Sequence, residues 1–138
     1  MKSLKGTKTA ENLMKSFAGE CQARTRYTYY SSIAKKEGYV QIANIFMETA
    51  EQEKEHAKRF FKFLKDELNG EAIEITAGYP VALYNETLKN LEAAAAGEHE
   101  EWSTDYPEFA RIAREEGFLD VAVAFERIAE VEKRHEMR

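Results

Sequence analysis

Two stretches of this chain are copies of one another. Ala34–His56 and Ala113–His135 align without a gap, and ten of the 23 positions are identical. The matched pairs include Glu37/Glu116, Gly38/Gly117, Phe46/Phe125, Glu53/Glu132 and His56/His135. Upstream, Ala18-Gly19-Glu20 answers Ala96-Gly97-Glu98, one residue out of that register. A duplicated segment forms the same local unit twice. The two units then pair about a pseudo-two-fold axis, and side chains near that axis converge from both.

The repeated unit is a helical hairpin. Ala10, Leu13, Phe17, Glu20, Ala23, Tyr27 and Tyr30 recur at helical spacing, which predicts a first helix from about Thr9 to Lys36, capped by Thr7 or Thr9. Gly38 punctuates it. A second helix is expected over Val40–Leu68 and ends at Asn69-Gly70, the residues a helix C-terminus prefers. Residues 69–80 read as the crossover between hairpins. A third helix is expected from Val81 or Leu83 to Glu116, kinked or interrupted by Pro107, and a fourth runs from Phe118 to near the end. The result is an all-α four-helix bundle built from two duplicated hairpins, one domain over residues 1–138. Composition agrees. All but three of the 25 acidic residues are Glu, a good helix former, and 2 Pro with 7 Gly are too few for the turns of a many-stranded β-sandwich.

Several function classes are disfavoured. A net charge of -5 argues against nucleic acid as partner, because phosphates need a basic face. No apolar run approaches the roughly 20 residues that span a bilayer, so no membrane partner is expected. Met1–Gly6 has no apolar stretch of the kind a secretory leader needs. The single Cys21 cannot form an internal disulfide or a cysteine-based metal site, which fits a reducing cytoplasm.

Each copy carries Glu-x-x-His, as Glu53/His56 and Glu132/His135. Positions i and i+3 share a helix face, so a carboxylate and an imidazole there can reach one metal or two adjacent ones. Glu20 and Glu98 add one carboxylate from the first helix of each copy. This resembles the set that ferritin-like dinuclear proteins use, one Glu from each of two helices and Glu-x-x-His from each of the others. Two adjacent divalent ions repel and need several anionic oxygens, and imidazole adds a donor suited to iron or manganese. Glu101 breaks the symmetry: it lies on the Glu98 face, where the first copy has Ala23. Five carboxylates against two divalent ions leave about one negative charge. Manganese and zinc fit similar donors.

Other residues read more plainly. His99 is expected to be solvated or to lie just behind the ligands, and Glu55, Glu100 and Glu130 to be surface charges. Cys21 reads as a buried inert thiol. Tyr29, Tyr30, Phe60, Phe61 and Phe63 read mostly as core aromatics, and Trp102 as core or interface. Gly19 and Gly97 each cost a helix about 1 kcal/mol; both precede a proposed ligand, and either a close helix approach or simple tolerance explains them. Ala93–Ala96 is a good helix-forming run.

The motifs Ala18-Gly19-Glu20-Cys21-Gln22-Ala23-Arg24, Glu53-Lys54-Glu55-His56, Ala96-Gly97-Glu98-His99-Glu100-Glu101, Tyr106-Pro107-x-Phe109-Ala110-Arg111-Ile112-Ala113 and Glu132-x-x-His135 resemble the rubrerythrin family over essentially the whole chain. That resemblance implies a ferritin-like bundle with a di-iron centre that reduces hydrogen peroxide to water. It implies that Glu53 and Glu132 bridge the irons, with Glu20 terminal on one and Glu98 and His135 on the other. The first iron would exchange His56 for Glu101 with oxidation state, and Tyr27 and Tyr106 would hydrogen-bond ligand carboxylates. Typical members add a rubredoxin-like domain with two Cys-x-x-Cys pairs. None is present in this sequence, so electrons are expected from a separate rubredoxin-like donor. A homodimer is expected, with exchange of hairpins between subunits open to it. An O2-using oxidase or ferroxidase, iron storage in a closed shell, and a metal-free interaction bundle are the competing readings.

Overall fold

A computed structural model describes residues 2–136. Met1, Met137 and Arg138, which the expected domain includes, lie outside the described residues. Helix α1 spans Lys8–Lys36, α2 Val40–Leu68, α3 Thr87–Glu100, α4 Tyr106–Glu115 and α5 Leu119–Glu136. A π-helical turn, Glu101–Asp105, joins α3 to α4 into one irregular rod, so four rods form the bundle. Among the described residues there is no strand, and no helix is long and apolar enough to cross a membrane.

Local chemistry sets the helix ends. The Thr7 hydroxyl accepts the Ala10 N–H at 3.1 Å and starts α1. Gly38 and Gly117 both sit at positive φ, 88° and 89°, and turn the chain back on itself in each hairpin. The residue before each of these glycines reaches the opposite hairpin. Glu37 accepts the Thr87 N–H at 2.6 Å and its hydroxyl, while Glu116 accepts the Thr9 N–H at 2.8 Å and its hydroxyl. The duplication therefore ties its two halves together reciprocally, once at each end of the bundle.

The third helix begins later than the sequence predicts, at Thr87 rather than Val81 or Leu83, and the connection runs over 69–86. Asn90 is buried and exchanges hydrogen bonds with the Tyr84 backbone, accepting its N–H at 2.8 Å and donating to its carbonyl at 2.9 Å. That contact fixes an extended approach, and Val81 is fully exposed. The interruption expected near Pro107 is the π turn just before it. Pro107 has no N–H to give, and its ring crowds the carbonyl four residues back. The Tyr106 N–H instead bonds the Glu101 carbonyl, five residues back.

Two apolar clusters form the core. One gathers Leu13, Phe60, Tyr106, Phe125 and Ile128; the other gathers Tyr27, Tyr30, Ala43 and Phe46. The buried Glu20, Glu53, Glu98 and Glu132 belong to neither cluster. Tyr29 and Phe61, expected in the core, are 51% and 42% exposed. Helix-face periodicity alone does not separate a buried aromatic from one at the edge of the buried stripe.

Candidate metal centre

Four rods deliver the site. Glu20 comes from α1, Glu53 and His56 from α2, Glu98 from α3, and Glu132 and His135 from α5. These six side chains form two groups. Glu20, Glu53, His56 and Glu132 make one; Glu98, Glu132 and His135 make the other. Within each group, one donor atom per residue lies within 4.8 Å of the rest. Glu132 belongs to both. Glu53 also faces both sides, with Oε2 3.7 Å from His56 Nδ1 and Oε1 3.8 Å from His135 Nδ1.

Carboxylates at this depth need compensation. Glu20 and Glu132 are fully buried and Glu53 is 1% exposed. Glu20 Oε2, both oxygens of Glu53, both oxygens of Glu132 and His56 Nδ1 have no hydrogen-bond partner among the described residues. Unsatisfied oxygens and an imidazole nitrogen converging in a protein interior are the donor set of a carboxylate-bridged metal pair, so the residues present fit the group the sequence implies.

Without metal, the charges push on one another. Burial, then the Glu53 charge, raises Glu132 well above the ordinary carboxylate range. Burial disfavours a charged His56, but the Glu132 and Glu53 carboxylates outweigh it and raise its pKa to about 9. His56 Nδ1 lies 3.2 Å from Glu132 Oε1 and 3.6 Å from Glu20 Oε2.

Two tyrosines cross the pseudo-two-fold. Tyr27, from the first copy, donates to Glu98 Oε1 of the second at 3.0 Å. Tyr106, from the second copy, donates to Glu20 Oε1 of the first. Glu20 and Tyr27 are seven positions apart; Glu98 and Tyr106 are eight. The π turn absorbs the additional residue, and this accounts for the one-residue register slip between Glu20 and Glu98. Burial, then the neighbouring carboxylate, holds both phenols well above their ordinary value: Glu98 at Tyr27, Glu101 at Tyr106.

Glu101 opens the π turn and stands in neither donor group. Its Oε2 lies 2.9 Å from the Tyr106 hydroxyl. Burial, then the Glu53 charge, lifts Glu101 to about 8. Tyr106 has one proton and two carboxylate neighbours, Glu20 and Glu101. Both contacts are satisfied together when Glu101 carries a proton of its own.

Other expectations need correction. Cys21 is half-buried rather than buried, and burial raises its thiol pKa. Gly19 is closely approached, but by the Tyr79 ring of the connection rather than by a helix: a Cβ there would lie 3.4 Å from it. A Cβ at Gly97 would meet nothing within 4 Å. His99 is exposed, as expected, and its Nδ1 lies 2.6 Å from Glu136 Oε1. That same oxygen accepts the Trp102 indole N–H at 3.2 Å, so Glu136 ties the π turn to the end of α5. Sequence reading missed Glu136. The spacing of His99 and Trp102 shows that they share a face, but nothing in the sequence links that face to residue 136.

The Rubrerythrin family model matches residues 11–138. The chain is 73% identical to rubrerythrin of Clostridium perfringens, covering 98% of this chain and 69% of that one. It is 68% identical to rubrerythrin-1 of Clostridium acetobutylicum, covering 100% of this chain and 71% of that one. The solved structure of nigerythrin in its fully reduced, all-ferrous state superposes with a TM-score of 0.83 at 32% identity, covering 99% of this chain and 69% of nigerythrin. A family match that spans all four rods and every residue of the converging cluster places this chain among the rubrerythrins.

Proposed function

We propose that the chain is a single di-iron bundle over residues 1–138 that reduces hydrogen peroxide to water. Rubrerythrins are oxidoreductases, typically di-iron proteins of oxidative-stress defence; the peroxidase activity is the finer reading. The observation that carries it is Glu101, held on Tyr106 beside a six-ligand cluster. Reduction of one peroxide takes up two electrons and two protons and releases two waters. The site must therefore store protons as well as electrons.

Two bound iron ions would supply the electron pair; manganese or zinc would fit the same donors, zinc without redox chemistry. Glu20, Glu53, His56 and Glu132 would hold one ion; Glu98, Glu132 and His135 the other, with Glu53 and Glu132 between them. The chain's own chemistry is proton handling. A protonated Glu101 contacts the Tyr106 oxygen, whose O–H points to Glu20, so a proton leaving Glu101 can pass through the phenol to Glu20 at the edge of the cluster. Glu101 also makes the two halves of the site unequal. It would be the spare carboxylate able to hold an ion in the place of His56. Tyr27 holds Glu98 in the other half.

Electrons would come from a separate rubredoxin-like protein. The exposed Tyr29, Val81 and Leu83 support a homodimer, since burying them would remove apolar surface from water. The lone cysteine supports a reducing cytoplasm as the setting.

The test is anaerobic. The iron-loaded, reduced protein is mixed with peroxide or with O2, and the ferric absorption is followed. Faster oxidation by peroxide, with one peroxide consumed per chain, is expected. Faster oxidation by O2 would move the function to an oxidase, and failure to bind iron would leave an interaction bundle.

A further inference from the structure

Helix α3 divides two clefts. On one side lies a cleft of about 630 Å³ that runs under residues 77–82 and ends at Glu101 and Tyr106. On the other lies a cleft of about 450 Å³ that ends at Glu98 and His135. We propose that the first cleft is the port by which small polar solutes reach the buried carboxylate cluster, with Gly97 keeping it open. That the natural solute is peroxide rests on the function proposed above; the existence of the port does not.

Three observations carry this. First, the roof is anchored. The Tyr79 hydroxyl donates to the Lys15 carbonyl at 2.7 Å, and its ring lies against Gly19. Gly19 thus has a packing reason to be glycine. Gly97 has none: a Cβ would enter open space, and Gly97 lines this cleft. A mid-helix glycine weakens a helix. What its missing side chain leaves clear is the passage itself.

Second, the cleft is far larger than one water, whose share of liquid volume is about 30 Å³, and Tyr106 and Glu101 form its inner end. A solute arriving there meets a phenol and a carboxyl already linked by a 2.9 Å contact.

Third, the rims differ. Lys15, Arg26, Glu100 and Asp105 surround the first cleft. The second is lined by Glu92 and Glu136 beside Ile42, Ile45, Phe46 and Leu91, with no Lys or Arg among the described residues. A small solute that both donates and accepts hydrogen bonds loses water more readily at the first rim, where cationic donors and carboxylates stand together to replace it.

The experiment uses the full chain loaded with iron and takes azide as probe, with its association followed by the charge-transfer absorption of the ferric protein. Gly97→Leu should slow azide association about tenfold, as an obstructed approach lowers an on-rate, and should slow peroxide-driven oxidation by the same factor. Iron content and helical circular dichroism should stay at wild-type values. Gly97→Ala should have a smaller effect, and Ala94→Leu, which narrows the other cleft, should have none. Ala96→Leu narrows the same wall and replaces Gly97→Leu if that variant fails to fold. Wild-type azide rates in Gly97→Leu or Ala96→Leu, or slowing in Ala94→Leu instead, would overturn the port. Slowed azide association in a protein whose wild type ignores peroxide would keep the port and reject the peroxidase reading.

Discussion

A single phenol hydroxyl that joins Glu20 to Glu101 is the smallest unit of this site. Tyr106→Phe removes it without changing the ring, which packs against Phe60 and Phe125. Iron content should remain at two per chain, while peroxide-driven oxidation falls about 100-fold, the scale of a lost proton donor. Tyr27→Phe removes a comparable bond to Glu98 that has no link to Glu101, so its effect should be smaller. Stopped-flow oxidation of both variants checks this, and equal rates in the two would contradict it. At this scale the sequence was informative. Glu101 stands out because its counterpart in the other copy is Ala23, which is buried in an apolar cluster. What the sequence did not show is that Glu101 sits apart from the six converging donors. That depends on how the π turn aims the side chain, and no residue type encodes the aim on its own.

At the scale of elements, the one-residue slip in the repeat and the π turn are the same fact. An α-helix advances about 100° per residue. Deleting Thr104, an exposed residue of the turn, should let α3 and α4 fuse into a regular helix. Glu98 and Tyr106 would then lie seven positions apart, as Glu20 and Tyr27 do, and both would still face the site. The variant should keep its helical circular dichroism and its two irons by metal analysis; loss of iron would contradict the assignment of the extra residue to the π turn. The latches make a second prediction. Glu37→Ala and Glu116→Ala should each lower the melting temperature. Because they lie at opposite ends of the bundle, the double variant should show the sum of the two losses. Scanning calorimetry checks both. The helices were legible because Gly38 and Gly117 and the helical spacing are local signals. The start of α3 was not. The sequence predicts a helix start at Val81 or Leu83, but the contact that holds the Thr87 N–H, from Glu37, crosses 50 positions of chain.

For the molecule as a whole, a layer of buried carboxylates is held within an otherwise apolar bundle. Metal-free protein keeps that layer by holding protons. Glu132 and Glu101 are raised, Glu101 to about 8, so the folded state binds protons that the unfolded chain releases above the ordinary carboxylate range. His56 is raised to about 9, and its contribution is present below the ordinary imidazole range and lost as pH rises through that value. All three act in one direction. The melting temperature of chelator-treated protein should fall between about pH 5.5 and pH 9, and the gain from adding iron should grow over the same interval, because metal binding displaces protons. Glu37 and Glu116 act oppositely. Hydrogen bonding to Thr87 lowers Glu37. At Glu116 burial opposes the shift, but the bonds from Thr9 and Lys8 outweigh it. The support of both latches is lost as pH falls through the carboxylate range. A metal-free melting temperature that rises toward pH 9 would contradict this balance.

The central claim is that six side chains from four rods hold two metal ions. Anomalous diffraction at the iron edge, from crystals of iron-loaded protein, tests it most directly. Two peaks are predicted, one bounded by Glu20, Glu53, His56 and Glu132 and the other by Glu98, Glu132 and His135. One peak, or none, in iron-saturated crystals would contradict the claim.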